Sequence, residues 1–298
     1  MRLTHFPAGS VGLVEPQSNS LGKKMLKQRL LTAALLIPLV VMAILLLPTM
    51  GMIGLLTVVT LMAMWEWLSM AQMQPLIKVL ASLSFIAALL ALLAMAGINY
   101  MLLTGLVFWM LISFIIVLFA HRPLPNSLAQ LFHNKFVTYL LSMLVALLFV
   151  YSAVWLHGIA GNGPWLVLYV LISVWLADTG GYFAGKRWGK HALAKAISPN
   201  KTLEGLIGAI VLVMLWSILS YFMGISKFVS LPLWIFISVL TGLISVSGDL
   251  FESLFKRSYQ IKDSGHLLPG HGGMLDRVDS LLAAVPFFAA LIWLTGQF

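Results

Sequence analysis

Residues 253–280 read SLFKRSYQIKDSGHLLPGHGGMLDRVDS and set three aspartates, four basic residues, two histidines and four glycines between long apolar runs. Carboxylates give divalent cations hard oxygen ligands, which such cations commonly share with a substrate phosphate. Lysine and arginine neutralise phosphate charge, and glycines let backbone N–H groups approach phosphate oxygens. Charged groups are costly beside hydrocarbon, so this density points to a site that binds phosphates and a cation.

Other polar segments carry the same residue types. Residues 177–189, ADTGGYFAGKRWG, place Asp178 ahead of glycines and the basic pair Lys186 and Arg187. A helix end with snorkelling basic residues and packing glycines explains the segment equally well. Residues 198–205, SPNKTLEG, read as a turn opening a helix. Ser198 or Thr202 would be its N-cap, Pro199 its first helical residue, and Lys201 a neighbour of its phosphate-attracting N-terminus. Asp249, Glu252, Ser253 and Lys256 are spaced i, i+3, i+4 and i+7, one polar stripe if the preceding helix continues that far. An internal Glu252–Lys256 pair accounts for two of them and leaves Asp249 as a candidate metal ligand.

Asp276 and Asp279 lie one turn apart after the PGHGG turn, and capping alone needs only one of them. Gly272, Gly273 and His271 are candidate phosphate contacts, whereas His266 reads as an interfacial polar residue. Glu66, between Trp65 and Trp67, reads as a snorkelling acid in an aromatic belt, and no site is assigned to it.

The remainder of the chain fixes where these residues sit. Apolar residues make up 61% of it and charged residues 9%, with a mean hydropathy of +1.01, which excludes a soluble domain. Without cysteine there is neither a disulfide framework nor a thiolate metal site. The net charge of +9 falls in short loops rather than on one soluble face, arguing against nucleic acid and for anionic phospholipid or a phosphate substrate.

Runs long enough to cross a bilayer lie at about 30–47, 51–70, 79–97, 100–120, 136–156, 164–184, 203–224, 228–248 and 280–296. The expected fold is therefore an all-α polytopic membrane protein of about nine transmembrane helices. With a cytoplasmic N-terminus, every lysine and arginine but Lys227 falls on the cytoplasmic side. Residues 1–24 lack the apolar region of a cleavable leader and read as a disordered tail, with Met25 of MLKQRL an alternative start. Seven of the nine acids fall between positions 178 and 279, so residues 25–160 read as scaffold and residues 161–298 as the catalytic part.

Residues 253–280 resemble throughout the signature stretch of the phosphatidate cytidylyltransferases, the CDP-diacylglycerol synthases. Ser253, Lys256-Arg257, Lys262-Asp263, PGHGG and Asp276-Arg277-x-Asp279 stand at the family's spacing. The likeness runs upstream through Ser247-Gly248-Asp249, SPNKTLEG and ADTGGYFAGKRWGKH to MLKQRL, covering about residues 25–298. It departs at Gly181 and Leu203, where the family commonly has alanine and tryptophan. Those changes are expected to loosen the nucleotide pocket without removing a charged position.

The resemblance implies transfer of a cytidylyl group from CTP to phosphatidic acid, giving CDP-diacylglycerol and pyrophosphate in phospholipid biosynthesis. It implies a bacterial inner-membrane enzyme whose site faces the cytoplasm and membrane phospholipid; a homodimer is left open. It assigns one or two divalent cations, Mg²⁺ in the first instance and a monovalent cation as an admissible companion, to Asp249 and Asp276. The expected catalytic set is Asp249, Asp276, Lys256, Arg257, Lys262, Asp263, Arg277 and Asp279. The expected substrate-binding set is Asp178, Lys186, Ser198, Lys201, Thr202, Ser253, His271, Gly272 and Gly273. Charge and proximity in sequence make Lys256, Arg257, Lys262 and Arg277 phosphate clamps. A phosphomonoester has its second pKa at about 6, so the lipid nucleophile is largely dianionic and needs charge neutralisation more than a general base.

Rival readings remain. A CTP-dependent lipid kinase would use a similar polar site. A CDP-alcohol phosphotransferase would carry an acidic helix that is absent here. A secondary transporter would be expected to hold charges near the midplane in both halves.

Overall fold

The computed structural model describes residues 34–95, 100–122, 125–261, 263–265 and 272–297. The expected tail at residues 1–24, the alternative start at Met25, and Lys262, His266 and His271 lie outside them. Internal contacts divide the chain into residues 1–40 and residues 41–298. A short apolar helix, α1 (Ala34–Leu46), runs out of the first unit.

The second unit is a bundle of α2 (Thr49–Met70), α3 (Pro75–Ala94), α4 (Tyr100–Phe119), α5 (Asn126–His133), α6 (Lys135–His157) and α7 (Gly163–Trp188). After the strands β1 (Ala192–Ala194) and β2 (Ser198–Thr202) come α8 (Leu203–Phe222), α9 (Leu231–Ser258) and α10 (Leu275–Leu294). Among the described residues eight of these helices, all but α1 and α5, are long and apolar enough to cross a membrane. An apolar helix satisfies its own backbone hydrogen bonds, which is why such sequences fold this way without water. The all-α polytopic expectation is met. The remaining expected span, 30–47, corresponds to α1, of which 13 residues are described.

Burial orders the bundle. α10 and α6 are 67% and 61% buried over their apolar windows, against 17% for α3 and 22% for α4, so the former are central and the latter form the outer wall. α10 packs on α9, α6 and α4, while α7 lies along α8. Small residues permit the α7–α8 approach: a Cβ on Gly180 would stand 2.5 Å from the Gly208 carbonyl oxygen. Gly248 plays the same part between α9 and α10, where a Cβ would meet the Asp279 carbonyl oxygen at 2.6 Å.

Three element boundaries differ from expectation, each for a local reason. α9 runs ten residues past 248 because hydropathy drops there but no helix breaker follows. The helix stops at Gln260, whose φ is +56° and where Ile261 N–H donates to Lys256 O at 2.9 Å. α10 starts at Leu275, so Asp276 and Asp279 belong to the helix. Residues 198–202 form a strand paired antiparallel with β1, not a helical turn. Pro199 holds Ser198 extended, so the expected place of Pro199 in the first helical turn is wrong. Thr202 does cap α8, accepting Gly205 N–H at 3.1 Å.

Candidate functional site

One end of the bundle gathers the C-terminal ends of α2, α7 and α9, the N-terminal ends of α8 and α10, and the β-hairpin. Asp249 faces outward from α9 because the stripe spacing puts it on the same side as Ser253, whose hydroxyl donates to Asp249 Oδ1 at 3.2 Å. Its other oxygen, Oδ2, pairs with Lys201 Nζ at 2.6 Å, so β2 is held to α9 across the site. Asp178, from α7, lies within electrostatic reach of Asp249, Lys201 and Arg277. These groups border a cleft of about 340 Å³ whose lining includes Asp178, Gly181, Asn200, Lys201, Thr202 and Asp249.

A second lysine organises the neighbouring wall. Lys256 Nζ donates to Glu252 Oε2 at 2.8 Å and to Asp276 Oδ1 at 2.9 Å, joining α9 to α10. Their side chains are 14%, 4% and 12% exposed, so the charges compensate one another out of bulk water. The expected internal Glu252–Lys256 pair therefore exists and extends to Asp276. Asp276 Oδ2 also accepts Gly273 N–H at 2.8 Å and Ser264 N–H at 3.2 Å. Gly272 has φ +82°, the left-handed region, so this turn needs glycine. The Asp279 carboxyl faces Asp249 and Glu252. Glu252 Oε1 is buried without a hydrogen-bond partner among the described residues.

The hairpin that presents Lys201 has its own anchor. Glu204 Oε2 accepts Lys190 N–H at 3.0 Å and His191 N–H at 3.3 Å, and Glu204 Oε1 meets His191 Nδ1 at 2.7 Å. Ala196 N–H donates to Ala120 O at 3.0 Å, tying the turn to the end of α4.

The structure thus brings together Asp178, Lys201, Thr202, Asp249, Ser253, Lys256, Gly272, Gly273, Asp276 and Asp279 of the expected set, with Arg277 beside them. Arg257 and Asp263 are exposed, and Ser198 lies on β2 at the hairpin's edge. Lys186 sits in the last turn of α7 with its ammonium 5.5 Å from the Tyr182 ring, outside the cleft lining. Of the two departures from the family pattern, Gly181 lines the cleft, while Leu203 is 45% exposed and does not.

One acid stands elsewhere than its sequence context suggests. Glu66 is 6% exposed, not snorkelling, and lies against Gly265 and Gly273. Its Oε2 accepts Leu275 N–H at 2.8 Å and the Ser264 hydroxyl at 3.3 Å. Trp67 holds that end of α2 against α9, its ring 5.1 Å from Phe255 and 6.0 Å from Phe251 in edge-on contact. The available signal was that Glu66 is the sole acid in the first five expected spans. Asn200, Glu204 and His191 were also missed, being ordinary polar residues until the hairpin forms.

Whether the site suits a cation follows from its donors. Among the described residues no three His, Cys, Asp or Glu side chains come together as a metal-binding cluster. Asp249 and Asp276 stand on the packed helices α9 and α10, each paired with a lysine, and are the carboxylates that could hold a cation. That donor set fits a cation completing its shell with water and substrate phosphate, as Mg²⁺ characteristically does, rather than an all-protein cage.

The sequence matches the family described as "Cytidylyltransferase family" over residues 27–295. A phosphatidate cytidylyltransferase of Haemophilus influenzae is 35% identical over 287 residues, covering 89% of this chain and 98% of the relative. One of Pseudomonas aeruginosa is 35% identical over 281 residues, covering 91% of this chain and 98% of its own. One of Staphylococcus haemolyticus is 39% identical over 136 residues, 46% of this chain and 52% of that protein.

Proposed function

This chain belongs to the cytidylyltransferase family, and from that premise we propose that it transfers the cytidylyl group of CTP to phosphatidate, releasing pyrophosphate. A phosphate oxygen of the lipid forms a bond to the α-phosphorus of CTP as the bond from that phosphorus to the pyrophosphate oxygen breaks. The observation that carries the reading is the pairing of two lysines with two carboxylates, Lys201 with Asp249 and Lys256 with Asp276, at one end of an apolar bundle. Both reactants are anionic, so charge neutralisation and in-line positioning are the main demands on the protein.

Asp249 and Asp276 would hold Mg²⁺. When bound, the cation neutralises phosphate charge and polarises the reacting phosphorus. Lys201 and Lys256 are placed to exchange a carboxylate partner for a phosphate oxygen, keeping the incoming charge compensated. Arg277 and Arg257 extend the same positive surface, and Gly272 and Gly273 bring backbone N–H groups beside it. The cleft between α7, β2 and α9 suits the nucleotide. The adjoining apolar faces suit the acyl chains, which lets the lipid phosphate arrive from the bilayer side.

The end of the bundle that carries the site also carries Lys78 and Lys135, and Lys135 Nζ donates to Gln72 O at 3.2 Å there. By the positive-inside rule that end is cytoplasmic, where CTP is available, which suits an enzyme of the bacterial inner membrane.

Purified protein in detergent or proteoliposomes, given phosphatidate, Mg²⁺ and CTP labelled either in the cytidine or in the γ-phosphate, tests the proposal. Cytidine label in the lipid, appearing without any ion gradient, is the expected result. γ-Label in the lipid would make the protein a lipid kinase and defeat it. Flux of label without chemical change would make it a transporter.

A further inference from the structure

Helix α10 begins without a local cap: Met274 occupies the N-cap position and offers no side-chain hydrogen bond. The first N–H groups of any helix lack intrahelical partners, so a buried start must find acceptors elsewhere. Here one comes from a helix some two hundred residues earlier in sequence, where Glu66 Oε2 accepts Leu275 N–H at 2.8 Å. The same oxygen accepts the Ser264 hydroxyl at 3.3 Å, so one carboxylate holds both Ser264 and the first residue of α10. The fit is close. A Cβ on Gly265 would stand 2.5 Å from Glu66 Oε1, and a Cβ on Gly273 would collide with Glu66 Oε2 and Ser264 Oγ.

Those anchored residues are the ones that set Asp276. Ser264 and Gly273 donate their backbone N–H groups to Asp276 Oδ2 at 3.2 and 2.8 Å, and Leu275 is its chain neighbour. Interfacial packing of an acid needs none of this, since a snorkelling carboxylate would turn to water; this one is 6% exposed, with Oε1 buried and without a partner among the described residues. Its negative charge also lies at the positive end of the α10 dipole.

We propose that Glu66 is a positioning residue for the transfer reaction: it acts through Leu275 and Ser264 to fix the Asp276 carboxylate, and does not itself touch substrate. This rests on the role proposed for Asp276. It brings a helix of the expected scaffold into the active site, and the Glu66 carboxylate takes the space that a Cβ would need at Gly265 and Gly273.

The test compares Glu66→Ala and Glu66→Gln in the full chain in proteoliposomes, with amide hydrogen exchange of residues 272–277 read beside kcat and KM. Gln keeps a carbonyl acceptor for Leu275 N–H. The expected result is a kcat loss approaching about 100-fold in Glu66→Ala, the scale set by misplacing a reacting group by about 1 Å, with KM for CTP changed much less. Exchange at residues 272–277 accelerates at least about 10-fold while the other helices keep their protection, and Glu66→Gln recovers most of both losses. A Glu66→Ala protein with near-normal turnover, or one that loses turnover with exchange at 272–277 unchanged, overturns the proposal. So does an Ala variant that loses protection throughout the bundle together with a Gln variant that does the same. The exchange readout does not depend on what Asp276 binds: if Asp276→Ala keeps activity while Glu66→Ala still frees residues 272–277, the anchor stands and the role given to Asp276 falls.

Discussion

Replacing Lys256 by methionine tests the charge arrangement most directly. Methionine is unbranched and keeps most of the apolar stem, so the change removes chiefly the ammonium group. That group compensates Glu252 Oε2 at 2.8 Å and Asp276 Oδ1 at 2.9 Å, with the three side chains 14%, 4% and 12% exposed. Removing one partner of a buried ion pair costs about 3–5 kcal/mol because it strands a charge, far more than the ~0.5 kcal/mol of an exposed i, i+4 pair. The lower end is expected here, near 3 kcal/mol, since Asp276 keeps two backbone donors and Glu252 keeps its hydrogen bond with the Asp279 carboxyl. Reversible unfolding in mixed micelles, followed by tryptophan fluorescence in metal-free buffer, measures it. The double variant Lys256→Met with Glu252→Gln no longer strands the Glu252 charge and should recover more than half of the loss. If Lys256→Met matches the unmodified protein to within about 0.5 kcal/mol, or if the two substitutions simply add, the reasoning that the triad is desolvated and mutually compensated is refuted.

Asp249→Ala and Asp276→Ala should each abolish cytidylyl transfer in the labelled-CTP assay while the protein still inserts and keeps its helical circular dichroism; near-normal turnover in either removes that residue from the cation site. Gly208→Ala drives a methyl into Ala184 at the α7–α8 crossing and should destabilise by about 1–3 kcal/mol in the same unfolding assay. Gly181→Ala should be tolerated, because its Cβ would meet nothing closer than the Gly205 carbonyl oxygen at 3.8 Å, and thermal unfolding separates the two. Glu204→Ala releases the hairpin's hold on Lys190 and His191 and should raise KM for CTP several-fold with little change in unfolding temperature.

Much of the molecule is readable without coordinates because hydrophobic length and charge placement are local properties. Nine apolar runs, the segregation of basic residues and the stripe from Asp249 to Lys256 all follow from counting along the chain. The limits of that reading are equally physical. Hydropathy marks where a helix leaves its apolar environment, not where its hydrogen bonds stop, so α9 and α10 each carry polar turns that the span estimates assigned to loops. Residues 198–202 pair with β1 because an extended Ser198-Pro199 finds a partner strand, and nothing within SPNKTLEG announces that partner. Membership in the carboxylate–lysine site was legible for Asp249, Lys256 and Asp276 from their spacing and from resemblance. The Glu252–Lys256 pair was legible too, but that Lys201 meets Asp249 and that Lys256 reaches Asp276 was not.

Glu66 marks the division most sharply. Sequence determines that a lone acid stands between two tryptophans near the end of an apolar helix, and composition then favours an interfacial reading. Only the tertiary structure decides that Trp67 packs on Phe251 and Phe255 and turns the neighbouring carboxylate inward, onto an uncapped helix start far away in the chain. Chemistry carried by residue type and spacing is written locally. The choice of partner across the bundle depends on which helix faces meet, and that is settled by packing of the whole chain.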